Sequence, residues 1–205
     1  VAGPQLTALA VADAPERWAA LGFAVRDECV ALGGVSIELG GPGTGITGWT
    51  LAATDPPPPS DIDGLPTTLL EKVAAEATFS IRVESDHPNG ALGIDHVVVA
   101  TPDFDRTEVA LEAAGLGLRR LRQAGDRRQG FRRLGPAIME IVEAPEAEAT
   151  HFWGLTLVVA DLAAARARMN GHLSDDRPAV QSGRRIATLG RGAGLSTRVA
   201  LMDPE

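Results

Sequence analysis

The sequence predicts an α+β protein built from paired βαβββ modules that form a cupped mixed sheet, with an extra, shortened βαβββ module at the N-terminus. Three stretches carry that reading: residues 6–13, 95–103 and 154–161 are each an apolar run that ends on an aspartate and leads into a short helical segment closed by glycine. A strand, a helix and a meander cannot bury their own apolar face, so copies of the unit must pair. Paired curved sheets leave a cleft between them.

In the first module Asp13 is placed to cap a helix that opens on Ala14-Pro15, proline being favoured where its missing N–H has no helical partner. Gly22 closes that helix, and residues 23–28, 29–33 and 35–39 read as short strands, the last two joined at Gly33-Gly34. The second module runs from Ile94 through a helix over 105–114, closed by Gly115, to strands near 116–122, 130–134 and 137–143. The third spans 152–203, its helix over 162–170 ending at Gly171.

Spacing decides which copies pair. From the strand-ending aspartate to the middle of the last strand is 25 residues in the first module (Asp13 to Glu38), 37 in the second (Asp103 to Glu140) and 39 in the third (Asp161 to Ala200). The second and third match, and the first is truncated. The expected organisation is therefore a shortened module over 1–54, a connector over 55–92, and a domain over 93–205 made of modules 93–148 and 149–205. Pro56 to Pro59 make the connector stiff, since each proline fixes φ and removes a donor. Residues 46–53 and 78–83 alternate as strands and suggest the remnant of a further module.

With 205 residues, 44% of them hydrophobic, the chain can bury a full core. A net charge of −8 and a pI near 5.0 argue against general attraction to nucleic acid or anionic membrane. Cys29 is alone, so no intramolecular disulfide forms, and no apolar run approaches the roughly 20 residues of a membrane span. The N-terminus has no signal-peptide pattern, and the expected location is cytoplasmic. Arginine supplies every basic residue but Lys72, and tyrosine is absent, as in proteins of GC-rich bacterial genomes.

His87-Pro88-Asn89-Gly90 before Ile94-Asp95-His96-Val97-Val98-Val99, together with Leu134-Gly135-Pro136-Ala137-Ile138-Met139-Glu140, resembles the vicinal oxygen chelate superfamily, which holds glyoxalases, bleomycin-resistance proteins and extradiol dioxygenases. It is most similar to bacterial glyoxalase-like domain proteins, over about 93–205 and more loosely over 5–53. The resemblance implies a divalent metal (Zn, Ni, Fe, Mn or Mg) held by a His on the first strand and a Glu on the last strand of each paired module. His96 and Glu140 stand at both places in the second module. Gly154 and Ala200 stand there in the third, so half of the implied ligand set is missing. His151, Gln181 and Asp203 are the nearest replacement donors in sequence.

Two functional classes follow. One is a metal-dependent lyase, isomerase or dioxygenase in which Glu140 is also the base. The other is a non-catalytic protein that binds or sequesters a small molecule in the cleft, for which His96 and Glu140 need be no more than a hydrogen-bonded pair. Loss of the third-module ligands favours the second class, and retention of the His–Glu pair favours the first. Of the arginines over 119–133, Arg132 and Arg133 are the candidate anion contacts, because they lead to Glu140. Phe131, Trp153 and Trp49 are candidate pocket walls, with plain core packing the alternative. The expected partner is a small molecule, and a homodimer is compatible with the family. The run Gly40 to Gly45 reads as a turn, because no Lys-Ser/Thr follows it.

Overall fold

The computed structural model describes residues 3–52, 54–70 and 86–204. Its C-terminal part is an eight-stranded sheet of order β12-β13-β14-β11-β7-β10-β9-β8. The strands are β7 (Ala91–Thr101), β8 (Arg120–Ala124), β9 (Arg127–Leu134), β10 (Ala137–Glu143), β11 (His151–Val159), β12 (Arg177–Pro178), β13 (Arg185–Thr188) and β14 (Val199–Met202). β7 and β11 run antiparallel at the centre, and each carries its own module's last strand in parallel: β10 beside β7, β14 beside β11. Helices α2 (Phe104–Ala113) and α3 (Leu162–Arg168) follow the two central strands.

The aspartates that end those strands are N-caps. Asp103 accepts from Arg106 N and Asp161 from Ala164 N, both at 3.0 Å, satisfying helix-start donors that would otherwise have no partner. Alternation along β7 and β10 sends Val97, Val99, Met139 and Ile141 into the core and Val98, Ala100, Glu140 and Val142 to the opposite face.

The N-terminal part repeats the plan with fewer pieces. Its strands are β1 (Gln5–Val11), β2 (Cys29–Leu32), β3 (Val35–Glu38), β4 (Ile46–Ala52), β5 (Asp61–Ile62) and β6 (Leu65–Leu70), with α1 (Pro15–Ala20) after β1. In the order β2-β3-β1-β4-β6-β5, β1 and β4 form the antiparallel centre, β3 runs parallel to β1, and β6 parallel to β4. The first module is thus one meander strand short. β4, expected as a remnant strand, takes β6 as its parallel partner; residues 78–83, expected to supply such a strand, lie outside the described residues.

Two local expectations fail for identifiable reasons. Residues 23–28 are not a regular strand, because Asp27 and Glu28 have φ of 48° and 59° and turn the chain. Asp13 does not cap α1. The N-cap is Ala14, which makes no side-chain cap bond.

The two parts share a core. Trp49 packs edge-on against Phe152 with ring centroids 5.2 Å apart. His87 accepts from Ala24 N (3.0 Å) through Nδ1, which leaves Nε2 to donate to the Ala31 carbonyl (2.7 Å). Asn89 donates to Leu21 O and accepts from Ala91 N. The His-Pro-Asn-Gly motif is therefore a joint between the parts.

Candidate functional site

The outer face of the eight-stranded sheet, away from the helices, floors a cleft of about 940 Å³, within the range of small-molecule sites. Val98, Ala100 and Val142 make its apolar floor and Glu140 its buried acid. Trp153, Arg177, Arg191 and Arg198 stand around it.

His96 and Glu140 come from adjacent strands and share one face. His96 is opposite Ile138 on β10 and Glu140 opposite Val98 on β7, so the two are offset by one pleat repeat. His96 is buried, with Nδ1 against the Asp95 carboxylate, and Asp95 in turn accepts from Arg184 Nη1 at 3.0 Å. Burial alone would raise the Asp95 carboxyl, but the bonds from His96 and Arg184 outweigh it and hold it below the usual range. Glu140 Oε1 accepts from Gln129 Nε2 at 3.0 Å. Burial pushes the Glu140 carboxyl up, against the opposing pull of His96 and Arg122.

That shift has a measurable sign. A raised carboxyl binds its proton more tightly in the native state than in the unfolded chain. Stability therefore falls as pH rises from the ordinary glutamate value of 4.5 through the folded one. Glu140→Gln, which is always neutral, is expected to melt higher than wild type at pH 7, by about 2–4 °C per kcal/mol recovered, with the gap closing below the ordinary value. Thermal melts of both proteins across this range are the check. A gap that instead opens on acidification contradicts the assignment.

The remaining sequence candidates scatter. Trp153 is 47% exposed in the cleft, with the Arg198 guanidinium 5.1 Å above its ring. Phe131 is opposite Glu140, and its ring meets His96 edge-on at 6.3 Å. Arg132 points the other way, opposite Met139, and donates to Gly117 O at 3.1 Å. Arg133 is exposed and lines a separate cavity of about 390 Å³ with Asp95, Arg184 and Gln181. Trp49 is buried core, its indole donating to Thr67 Oγ1 at 2.7 Å. Of the replacement donors, His151 is at the cleft rim with Nδ1 on Ala149 O. Gln181 is at the smaller cavity, and Asp203 accepts from Arg185 N.

The register makes the missing ligands concrete. Gly154 is opposite Val98 and Ala200 opposite Thr156, the places that His96 and Glu140 occupy on the other side of the pseudo-twofold axis. A Cβ at Gly154 would lie 2.6 Å from Arg198 O, so the backbone just before β14 fills the space a third-module ligand would need. Among the described residues no three His, Cys, Asp or Glu side chains converge as a metal site. One imidazole and one carboxylate do not fit a tightly held divalent ion.

Sequence reasoning missed Asp95, Gln129 and Arg198. Period-two alternation back from Ala200 was the available signal for Arg198; nothing marked Gln129 apart from its neighbours.

Antiparallel first strands with parallel last strands, in two helix-linked modules, make a paired βαβββ, or glyoxalase-like, fold. Similar solved structures include methylmalonyl-CoA epimerase from Mycobacterium tuberculosis, at 18% identity over 57% of this chain and 90% of that one, TM-score 0.48. A variant of Streptomyces coelicolor methylmalonyl-CoA epimerase in complex with 2-nitronate-propionyl-CoA is 19% identical over 54% and 95%, TM-score 0.44. A hypothetical protein from Bacillus halodurans is 14% identical over 55% and 94%, TM-score 0.45. No family model and no curated protein sequence matches this chain. Among the described residues no helix is long and apolar enough to cross a membrane.

Proposed function

We propose that the cleft on the eight-stranded sheet binds a small organic anion, and does so without a resident metal. The observation that carries this reading is the set of charges at the cleft: Arg177, Arg191 and Arg198 have no carboxylate within ion-pair distance among the described residues, while Arg127 is already paired with Glu146 at 3.0 Å. Unpaired guanidiniums around an apolar floor suit a ligand with an apolar body and a carboxylate, sulfonate or phosphate head. Trp153 supplies a flat wall, and the Glu140 carboxyl, pushed up by burial, lies at the cleft floor.

Titration with anilinonaphthalene sulfonate, an aromatic anion, tests this through tryptophan emission, because Trp18 and Trp49 are buried and Trp153 is exposed. Saturable quenching at one site is expected, weakened about tenfold in Arg198→Ala. Equal affinity in wild type, Arg198→Ala and Trp153→Ala, the last read from the dye's own emission, overturns the reading.

A second reading is supported by Glu140 itself. A buried carboxyl with a raised pKa beside a His–Asp pair suits proton transfer to or from the bound molecule. In that case Glu140→Gln abolishes turnover of a substrate while leaving its binding intact; a variant that still turns over removes Glu140 from the chemistry.

A further inference from the structure

The three modules use the same aspartate differently. Asp103 and Asp161 cap their own helices, whereas Asp13, at the equivalent strand end, leaves α1 uncapped and reaches residues more than 180 positions away. Its Oδ1 accepts from Ser196 N and from Ser196 Oγ (2.7 Å), and its Oδ2 from Thr197 N (3.2 Å). Ser196 Oγ also accepts from Gly45 N at 2.8 Å, a second tie from the N-terminal part. Asp13 and Thr197 are both 5% exposed.

The segment they hold is one wall of the cleft. Between β13 and β14 the chain leaves the sheet, and Gly190, Arg191, Leu195, Ser196, Thr197 and Arg198 all line the cleft. Two of the three unpaired arginines are on this segment. Its other supports are backbone ties, Gly190 N to His172 O and Leu155 N to Arg198 O at 2.8 Å, and a single 3-10 turn over Arg191–Ala193 that ends at Gly194, with φ of 75°.

We infer that Asp13 is a positioning residue for the cleft, and that the shortened N-terminal module serves to hold the 190–198 segment so that Arg191 and Arg198 face the ligand. This rests on the anion-binding reading for its functional consequence, but not for the anchoring itself. A buried carboxylate accepting three bonds fixes a loop more firmly than a helix cap would, because each bond to the charged group is stronger than a neutral one.

The test compares wild type with Asp13→Asn and Ser196→Ala in the full chain. Asp13→Asn keeps the shape but loses charge and an acceptor; Ser196→Ala keeps the carboxylate bonds to backbone N–H groups and loses the hydroxyl. Amide exchange by mass spectrometry is expected to speed up at least tenfold over 190–198 in Asp13→Asn and less in Ser196→Ala, with the central strands β7 and β11 unchanged. Iodide quenching of Trp153, favoured by the guanidinium above its ring, is expected to fall about twofold relative to neutral acrylamide, a signature that general loosening does not give. Affinity for anilinonaphthalene sulfonate is expected to fall severalfold in parallel.

Unchanged exchange over 190–198, exchange accelerated equally throughout the sheet, or a loosened loop with unaltered iodide quenching each overturns the assignment. If Asp13→Asn does not fold, Ser196→Ala decides by the same readouts. Should wild type bind no anilinonaphthalene sulfonate, the ligand reading fails while exchange and iodide quenching still decide whether Asp13 positions the wall.

Discussion

Asp63→Ala is expected to destabilise the protein by about 3 kcal/mol, lowering the melting temperature by roughly 6–12 °C. Asp63 is at the tip of the β5–β6 turn, and its carboxylate accepts from Thr107 Oγ1, from Thr150 Oγ1 at 2.8 Å and from Arg106 Nε at 2.6 Å. Thr101, Thr107 and Thr150 are buried, with Thr101 Oγ1 only 2.6 Å and 3.0 Å from the other two hydroxyls. Removing the carboxylate leaves buried hydroxyls and a guanidinium short of an acceptor, so the penalty is that of unsatisfied polar groups and not of one surface ion pair. The same network joins the N-terminal part to α2 and to Thr150, just before β11, which makes the loss global.

Burial by itself would raise the Asp63 carboxyl, but the bonds from Arg106, Thr107 and Thr150 hold it below the usual value of 3.8. Its contribution is therefore fully present at neutral pH and lost as pH falls through the depressed folded value. The stability gap between wild type and Asp63→Ala is expected to persist from pH 7 to about pH 4 and to narrow only on further acidification. Calorimetry across that range checks it. A change in melting temperature of less than about a degree at pH 7 contradicts the role given to this network.

Gly154→Ala is expected to cost about 1–3 kcal/mol and to damage the cleft at the same time. The added Cβ meets Arg198 O at 2.6 Å and Arg198 Cβ at 2.9 Å, and the obstacle is backbone that cannot rotate aside. Leu155 N donates to that same carbonyl at 2.8 Å, so relief by moving β14 breaks a bond that closes the sheet. Arg198 shifts with its backbone, and affinity for anilinonaphthalene sulfonate is expected to drop with stability. Gly154→His combined with Ala200→Glu, which restores the missing ligand types, is expected to misplace both side chains. Urea unfolding and the dye titration check the single variant; native stability with native affinity contradicts the close approach.

The module plan was legible because its signals are local. Asp103 and Asp161 announce their helices through strand-ending position and spacing, and the shared face of His96 and Glu140 follows once β7 and β10 are parallel neighbours. The failures are the features that locality does not determine. Arg132 and Arg133 are adjacent in sequence, so one must leave the face that carries Glu140, and only the register with β10 says which. Trp49 fits a pocket wall or a core equally well by composition, and the packing of β4 against β11 decides for core. Asp13 reads as a helix cap in every local respect. Its partners, Ser196 and Thr197, arrive from the far end of the chain.

The central claim is that the cleft works on arginine, tryptophan and a buried carboxyl, with no resident metal. Metal content of protein purified without an affinity tag or chelator, then dialysed and measured by elemental mass spectrometry, tests it most directly. Well below one equivalent of any divalent metal per chain is expected, unchanged in His96→Ala. A full equivalent that survives dialysis and disappears in His96→Ala would contradict the claim and return His96 and Glu140 to the role of metal ligands.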